Sequence, residues 1–129
     1  MPLRIGVDPL NRVLVAVAVG EVTLPVVAEL AHRVLREQLL GYGKVIDLMQ
    51  ATQAVSEIEL AATARFVREA EHDGPCGPLA VVADRVRGEF ARHVARVELC
   101  GRPAEIFASL HAARQWVAQA RQEAMQRGR

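Results

Sequence analysis

Ser56 and Glu59 stand three residues apart at the end of the stretch "VIDLMQATQAVSEIEL". That spacing is a capping box: the hydroxyl accepts from the amide three residues on, and the carboxylate accepts from the cap amide. The cap is worth about 1 kcal/mol. A serine at a strand-to-helix junction is also where a partner could read or modify the chain. A phosphate on Ser56 would gain from the helix N-terminus. Glu57 and Glu59 already place negative charge in that turn and oppose it. Asp47 and Asp84 end predicted strands, where open parallel sheets carry their sites. Strand-end aspartates also serve to accept hydrogen bonds from loop amides, and no nucleophile, base and orienter occur together here.

Other chemistries find little support. "GYG" at 41–43 and "GPCG" at 74–77 match neither GxxxxGK[ST] nor GxGxxG after a strand. His32, His72, His93 and His111 form no HExxH or HxH pattern, so neither metal nor cofactor is expected. Ser109 has no glycine flanks, and Ser56 is not in GxSxG. Cys76 lies in a Gly/Pro loop, either a reactive thiol or an unremarkable one. With Cys100 far away, two reduced thiols are expected. Arg85, Arg87, Arg92, His93 and Arg96 give one helix a basic side, diluted by Asp84, Glu89 and Glu98. That side is a solvated face or a surface for anionic lipid or a phosphorylated partner. Aromatic residues are 4% and none interleaves with these arginines, which argues against stacking on nucleic acid.

The totals set the frame. A chain of 129 residues, 51% hydrophobic and 24% charged, suits one soluble domain with a real core. A net charge of +1 supplies no global field for nucleic acid or an anionic membrane. Lys44 is the only lysine among 16 basic residues, through coding bias or through function. "MPLRIGVDPLNR" lacks the basic start and apolar core of a signal peptide. The run Val13 to Val19 is far short of the about 20 residues that span a bilayer. A cytoplasmic location is the default expectation.

The elements that position these residues follow from pattern. "LRIGVDP" and "RVLVAVAVG" are β-branched runs joined by the turn residues of "DPLN", an opening hairpin that Gly20 ends. Thr23 is placed to cap the helix "LPVVAELAHRVLREQLLG", whose stripe is Val26, Val27, Leu30, Val34 and Leu35, and which Gly41 and Gly43 stop. "KVIDLM" is too uniformly apolar for a wet face and reads as a central strand. After the helix from Ser56 come a Gly/Pro break and the strand "LAVVADR". A helix "VRGEFARHVARVEL" follows, with Val86, Phe90, Val94 and Val97 on one side. The strand "AEIFAS" and a helix capped by Ser109, with Ala113, Trp116, Val117, Ala120 and Ala124 along one side, close the chain. The order ββαβαβαβα predicts an α/β fold with a mostly parallel sheet in one domain, 1–125, and a frayed polar tail at 126–129.

This order resembles the STAS domain, the fold of bacterial anti-sigma-factor antagonists. It is most similar to the divergent SpoIIAA-like branch that shares features with CRAL-TRIO lipid-binding domains. The likeness covers nearly the whole chain through "GEVTLPVVAEL", "YGKVIDLMQATQAVSEIEL", "GPLAVVADRVRGEFAR" and "AEIFASLHAARQWV". It implies a non-enzymatic regulatory or protein-interaction domain with a regulatory protein or kinase as partner. The surface would be the junction of Gln53, Ser56 and Glu57, near Asp47. In the antagonist branch a serine at this position is phosphorylated; here it lies in Val55, Ser56, Glu57, Ile58, without the flanking aspartate and glycine of that branch. The CRAL-TRIO likeness implies the alternative, a carrier of a lipid or small apolar ligand, with Arg85, Arg87, Arg92 and Arg96 meeting anionic headgroups. Alanine- and valine-rich helix sides are compatible with a homodimer.

Overall fold

Residues 2–70, 76–97 and 102–127 are described by a computed structural model, the side chains of 124, 125 and 127 excepted. Two β-branched runs open the chain as β1 (Leu3–Asp8) and β2 (Val13–Val22), paired antiparallel with Leu3 opposite Ala18. Their turn is held by Asp8, which accepts from the Asn11 amide at 3.2 Å and from its side chain at 2.7 Å. The rest alternates as expected: α1 (Leu24–Arg36), β3 (Gly43–Gln53), α2 (Glu57–Ala70), β4 (Leu79–Val82), α3 (Gly88–Arg96), β5 (Ala104–Phe107) and α4 (Leu110–Arg127). The five strands lie in the order β1-β2-β3-β4-β5, parallel from β2 onward. The central position of β3 follows from its apolar run, since a strand covered on both faces needs no polar alternation.

Alternation along the strands divides the core. Leu14, Leu48, Leu79 and Val81 face one side, where Val26 and Val34 of α1, Leu60 and Val67 of α2 and Phe90 of α3 cover them. Val45, Ala80 and Val82 face the other side and pack on Ala113 and Val117 of α4. The approach there is close: a side chain at Gly43 would overlap Val117. Trp116 tilts against Phe107 with centroids 5.7 Å apart, closing the β5 side. The resulting three-layer arrangement is the α/β architecture that the element order implied.

Several boundaries differ from the sequence reading, each for a local reason. Strand β2 runs two residues past Gly20, which takes φ +80° beside a register shift at Val17/Val19 instead of ending the strand. Helix α1 stops at Arg36, well before Gly41, because Gln38 adopts φ +56° and turns Leu39 and Leu40 into the core. Thr23 occupies the cap position of α1, but its side chain makes no capping hydrogen bond. Val86 precedes α3 and is exposed, not on its buried side. Helix α4 extends to Arg127, two residues into the segment expected to be tail; residues 128–129 lie outside the described residues. Cys76 is disulfide-bonded, which replaces the expected reduced thiol and removes the thiol argument for a reducing compartment. Cys100, His72 and Glu98 lie outside the described residues.

Candidate functional site

The α2 junction is built by extending β3. The strand continues four residues past Met49 to Gln53, and the amides of Ala54 and Val55 both donate to the Val22 carbonyl. Val55 is thereby buried and Ser56 emerges exposed at the start of α2. The capping box is formed in both directions. The Glu59 amide donates to Ser56 Oγ at 3.1 Å, and the Ser56 amide donates to Glu59 Oε1 at 2.9 Å. Replacing Ser56 by alanine is expected to cost about 1 kcal/mol, and Ser56→Asp to retain most of the cap. Chemical denaturation of the three proteins checks this; equal stability of Ser56→Ala and the parent would show that the cap contributes nothing.

Gln53 and Glu57 are brought together with two residues of α3. Gln53 Nε2 donates to the Val55 carbonyl at 3.0 Å, and its amide pairs with His93 Nδ1. His93 Nε2 lies 3.9 Å from both Glu57 and Glu89, and Arg96 lies 3.7 Å from Glu57. His93, expected on a solvated face, is therefore half-buried in a polar link between β3, α2 and α3. Its spacing from Gln53 by 40 residues explains why local pattern missed it.

The strand-end aspartates are committed to the backbone. Asp47 sits in mid-strand at the β2–β3 register shift, because β3 is longer than its apolar run, and Oδ1 accepts from the Met49 amide at 2.9 Å. Asp84 accepts from the Arg87 amide at 3.0 Å and pairs with the Arg87 guanidinium at 2.9 Å. Arg87 Nε also donates to the Ala51 carbonyl at 2.8 Å, tying the turn before α3 to β3. The four arginines expected as one anionic-ligand surface are thus divided. Arg87 is half-buried in structural bonds, Arg96 faces Glu57, and Arg85 and Arg92 are exposed.

Beneath these helices lies a cavity of about 150 Å³ between α1, α2, α3 and the sheet. Its walls are apolar: Val26, Leu30 and Val34 from α1, Leu60 and Val67 from α2, Phe90 and Val94 from α3. The stripe that the sequence assigned to α1 supplies one wall. Three lining residues are polar, Thr63, Arg102 and Lys44, and Lys44 lies at the start of β3 between Leu14 on β2 and Leu79 on β4. Lys44 is 6% exposed and is the only charged residue in the buried core of the described residues. Its Nζ donates to the carbonyls of Leu40 at 2.7 Å and Tyr42 at 2.9 Å. An ammonium has three donors, so these two carbonyls leave one. Burial, and secondarily the charge of Arg102 on the same cavity wall, push the Lys44 pKa down to about 7. The signal was legible in one respect only: Lys44 is the single lysine.

No protein-family model matches this chain, and no curated protein matches it. Among solved structures it is similar to an uncharacterized protein of the DUF3478 family from Shewanella loihica PV-4, whose crystal structure has a SpoIIAA-like fold. The TM-score is 0.61 at 17% identity, over 89% of this chain and 93% of that one. The likeness establishes the SpoIIAA-like fold that the sequence resemblance implied, and at that identity it carries the fold alone.

Proposed function

We propose that the chain is a non-enzymatic STAS-type binding domain that holds a small apolar ligand between its helices and its sheet. The observation that carries this reading is the 150 Å³ cavity lined by Val26, Leu30, Leu60 and Val67. Native interiors are close-packed, so an apolar recess of this size reaching from the surface to the sheet is space that the chain's own side chains leave unfilled. A cavity of about 150 Å³ accommodates a benzene-sized molecule. The two candidate catalytic aspartates already accept backbone hydrogen bonds, which favours binding over reaction. Among the described residues no helix is long and apolar enough to cross a membrane.

The test is mass spectrometry of the chain purified from its own host, under native and then denaturing conditions. The expected result is a bound molecule of roughly six to eight heavy atoms, lost on denaturation. A chain that arrives empty, and shows no binding of 1-hexanol by ligand-observed NMR, would overturn the reading.

A second reading, a protein-docking function at the α2 junction, is favoured by two exposed apolar side chains. Ile58 and Val86 are 82% and 84% exposed. They belong to the first turn of α2 and the turn before α3, which Arg87 ties to β3. Exposed aliphatic residues around a polar cluster of Ser56, Gln53 and Glu57 are suited to a regulatory partner. In this reading Ser56→Glu weakens a partner complex much more than Ser56→Ala, at matched stability. Equal binding by both variants, measured by calorimetry against the purified partner, would remove the serine from any switching role.

A further inference from the structure

We propose that the cavity's ligand is a small monocarboxylate, with its tail among Val26, Leu30, Leu60 and Val67 and its acid group paired with Lys44. The inference rests on the ligand-binding reading above and names the chemistry of that ligand.

Three observations carry it. The first is placement. A lysine on a surface strand keeps its ammonium in water; here the head is turned inward, against an apolar cavity, with two carbonyls as its acceptors. Two neutral acceptors do not neutralise a buried charge, and an unpaired buried cation is costly. A carboxylate in the cavity would supply the missing counter-charge through the donor that the carbonyls leave. The second is residue type. The chain has 16 basic residues and uses lysine only here, at its one deeply buried cation among the described residues. Arginine stays charged at any physiological pH, whereas a lysine at the wall can release its proton when the cavity is empty and take it up when an acid enters. The third is the surrounding field. The other charged side chain lining the cavity, among the described residues, is Arg102; no carboxylate or histidine lines it, and Thr63 adds one hydroxyl. Lys44 at a wall with no carboxylate among its described residues favours an acid over an amine or a neutral ligand.

Size restricts the acid. About 150 Å³ holds roughly six to eight heavy atoms, so the fit is a six-carbon chain or an aromatic acid of similar bulk and not a long-chain fatty acid. The charge state makes binding a proton-linked event: with Lys44 neutral in the empty protein above pH 7, entry of a carboxylate draws in a proton.

The experiment is isothermal calorimetry of the full chain with sodium hexanoate and, as the uncharged counterpart, 1-hexanol. Both ligands are run against the parent protein and Lys44→Met at pH 6.5 and 8.5, in two buffers of different ionisation enthalpy. The expected result is that the parent prefers hexanoate by about tenfold or more. Lys44→Met should lose that preference while still binding hexanol. Hexanoate binding to the parent at pH 8.5 should take up close to one proton. Equal affinity of the parent for the two ligands with no proton uptake would overturn the carboxylate assignment and leave the apolar-ligand reading in place. Binding of neither ligand would overturn both. Should Lys44→Met fail to fold, the preference and the proton uptake of the parent decide the matter alone.

Discussion

Lys44→Met is expected to flatten the pH dependence of stability between pH 7 and pH 10. In the unfolded chain the lysine titrates near its ordinary value of 10.5, and in the folded protein burial lowers it to about 7. A group with a depressed folded pKa and a positive charged form binds fewer protons folded than unfolded between those two values. Stability therefore rises with pH across that window, with a slope approaching about 1.4 kcal/mol per pH unit. Below pH 7 the lysine is protonated in both states, and the cost of burying its charge is fully present. Methionine fills the same space without a charge and removes the slope. It also removes one donor from the Leu40 carbonyl, which keeps the Gly77 amide, and the Lys44 ammonium from the Tyr42 carbonyl, at about 1 kcal/mol in all. That offset is independent of pH, so the slope is the diagnostic quantity. Denaturant unfolding of both proteins at pH 6, 7, 8 and 9 measures it. Parallel curves for parent and variant would show that Lys44 keeps its solution pKa and is not buried as described.

Gly77→Ala is expected to destabilise the protein by about 3 kcal/mol. The loop holding Gly77 packs directly on the 40–42 loop: the Gly77 amide donates to the Leu40 carbonyl at 3.0 Å. A methyl group at Gly77 would overlap the Tyr42 carbonyl and stand 2.7 Å from that of Gly41. These neighbours are backbone and cannot rotate away, so the two loops must separate. Leu40 and Tyr42 supply the carbonyls that hold the Lys44 ammonium, so the same change loosens the end of the cavity. The variant should show both a lower unfolding midpoint and faster hydrogen exchange at Lys44 and Leu79, whose amides donate to Pro78 and Pro103. An unfolding free energy within about 0.5 kcal/mol of the parent, on the scale of neutral surface changes, would contradict the close packing of the two loops.

Much of the architecture was legible because it rests on local rules. The hairpin turn at Asp8 to Asn11, the doubly covered strand β3 and the Ser56–Glu59 box each depend on residues close in sequence, and each is present. The early end of α1 was not legible. It depends on Gln38 taking a left-handed conformation, which costs little enough to be outweighed by burying Leu39 and Leu40. The length of β3 was hidden for a related reason. Its second half, Gln50 to Gln53, has a polar face, and pairing with Val19 to Val22 extends the ladder where composition suggested a loop.

The candidate site was legible in part. Gln53 and Glu57 are joined by His93, and Glu57 by Arg96, across a long sequence separation that local patterns do not report, while the Ser56 hydroxyl bonds within its own turn to Glu59. Arg85, Arg87, Arg92 and Arg96 share a helical pattern, yet Arg87 is drawn inward by Asp84 and the Ala51 carbonyl. The cavity was out of reach because voids arise from how helices of a given length sit on a sheet, and periodicity reports only which faces point inward. Lys44 illustrates the limit. The sequence marks it as the single lysine on an apolar strand, but only the packing of α1 and α2 turns that lysine into a buried charged member of a mostly apolar wall.

That single lysine also provides the most direct measurement. Protein labelled with ¹³C only at lysine side chains should give one lysine signal, from Lys44, followed by NMR through a pH titration with and without saturating 1-hexanol. A buried Lys44 beside an apolar cavity gives a midpoint near pH 7 in the empty protein and a clear change in the signal's position when 1-hexanol fills the cavity. A midpoint near 10.5, unmoved by the ligand, would place Lys44 in water and contradict the binding cavity on which the functional reading stands.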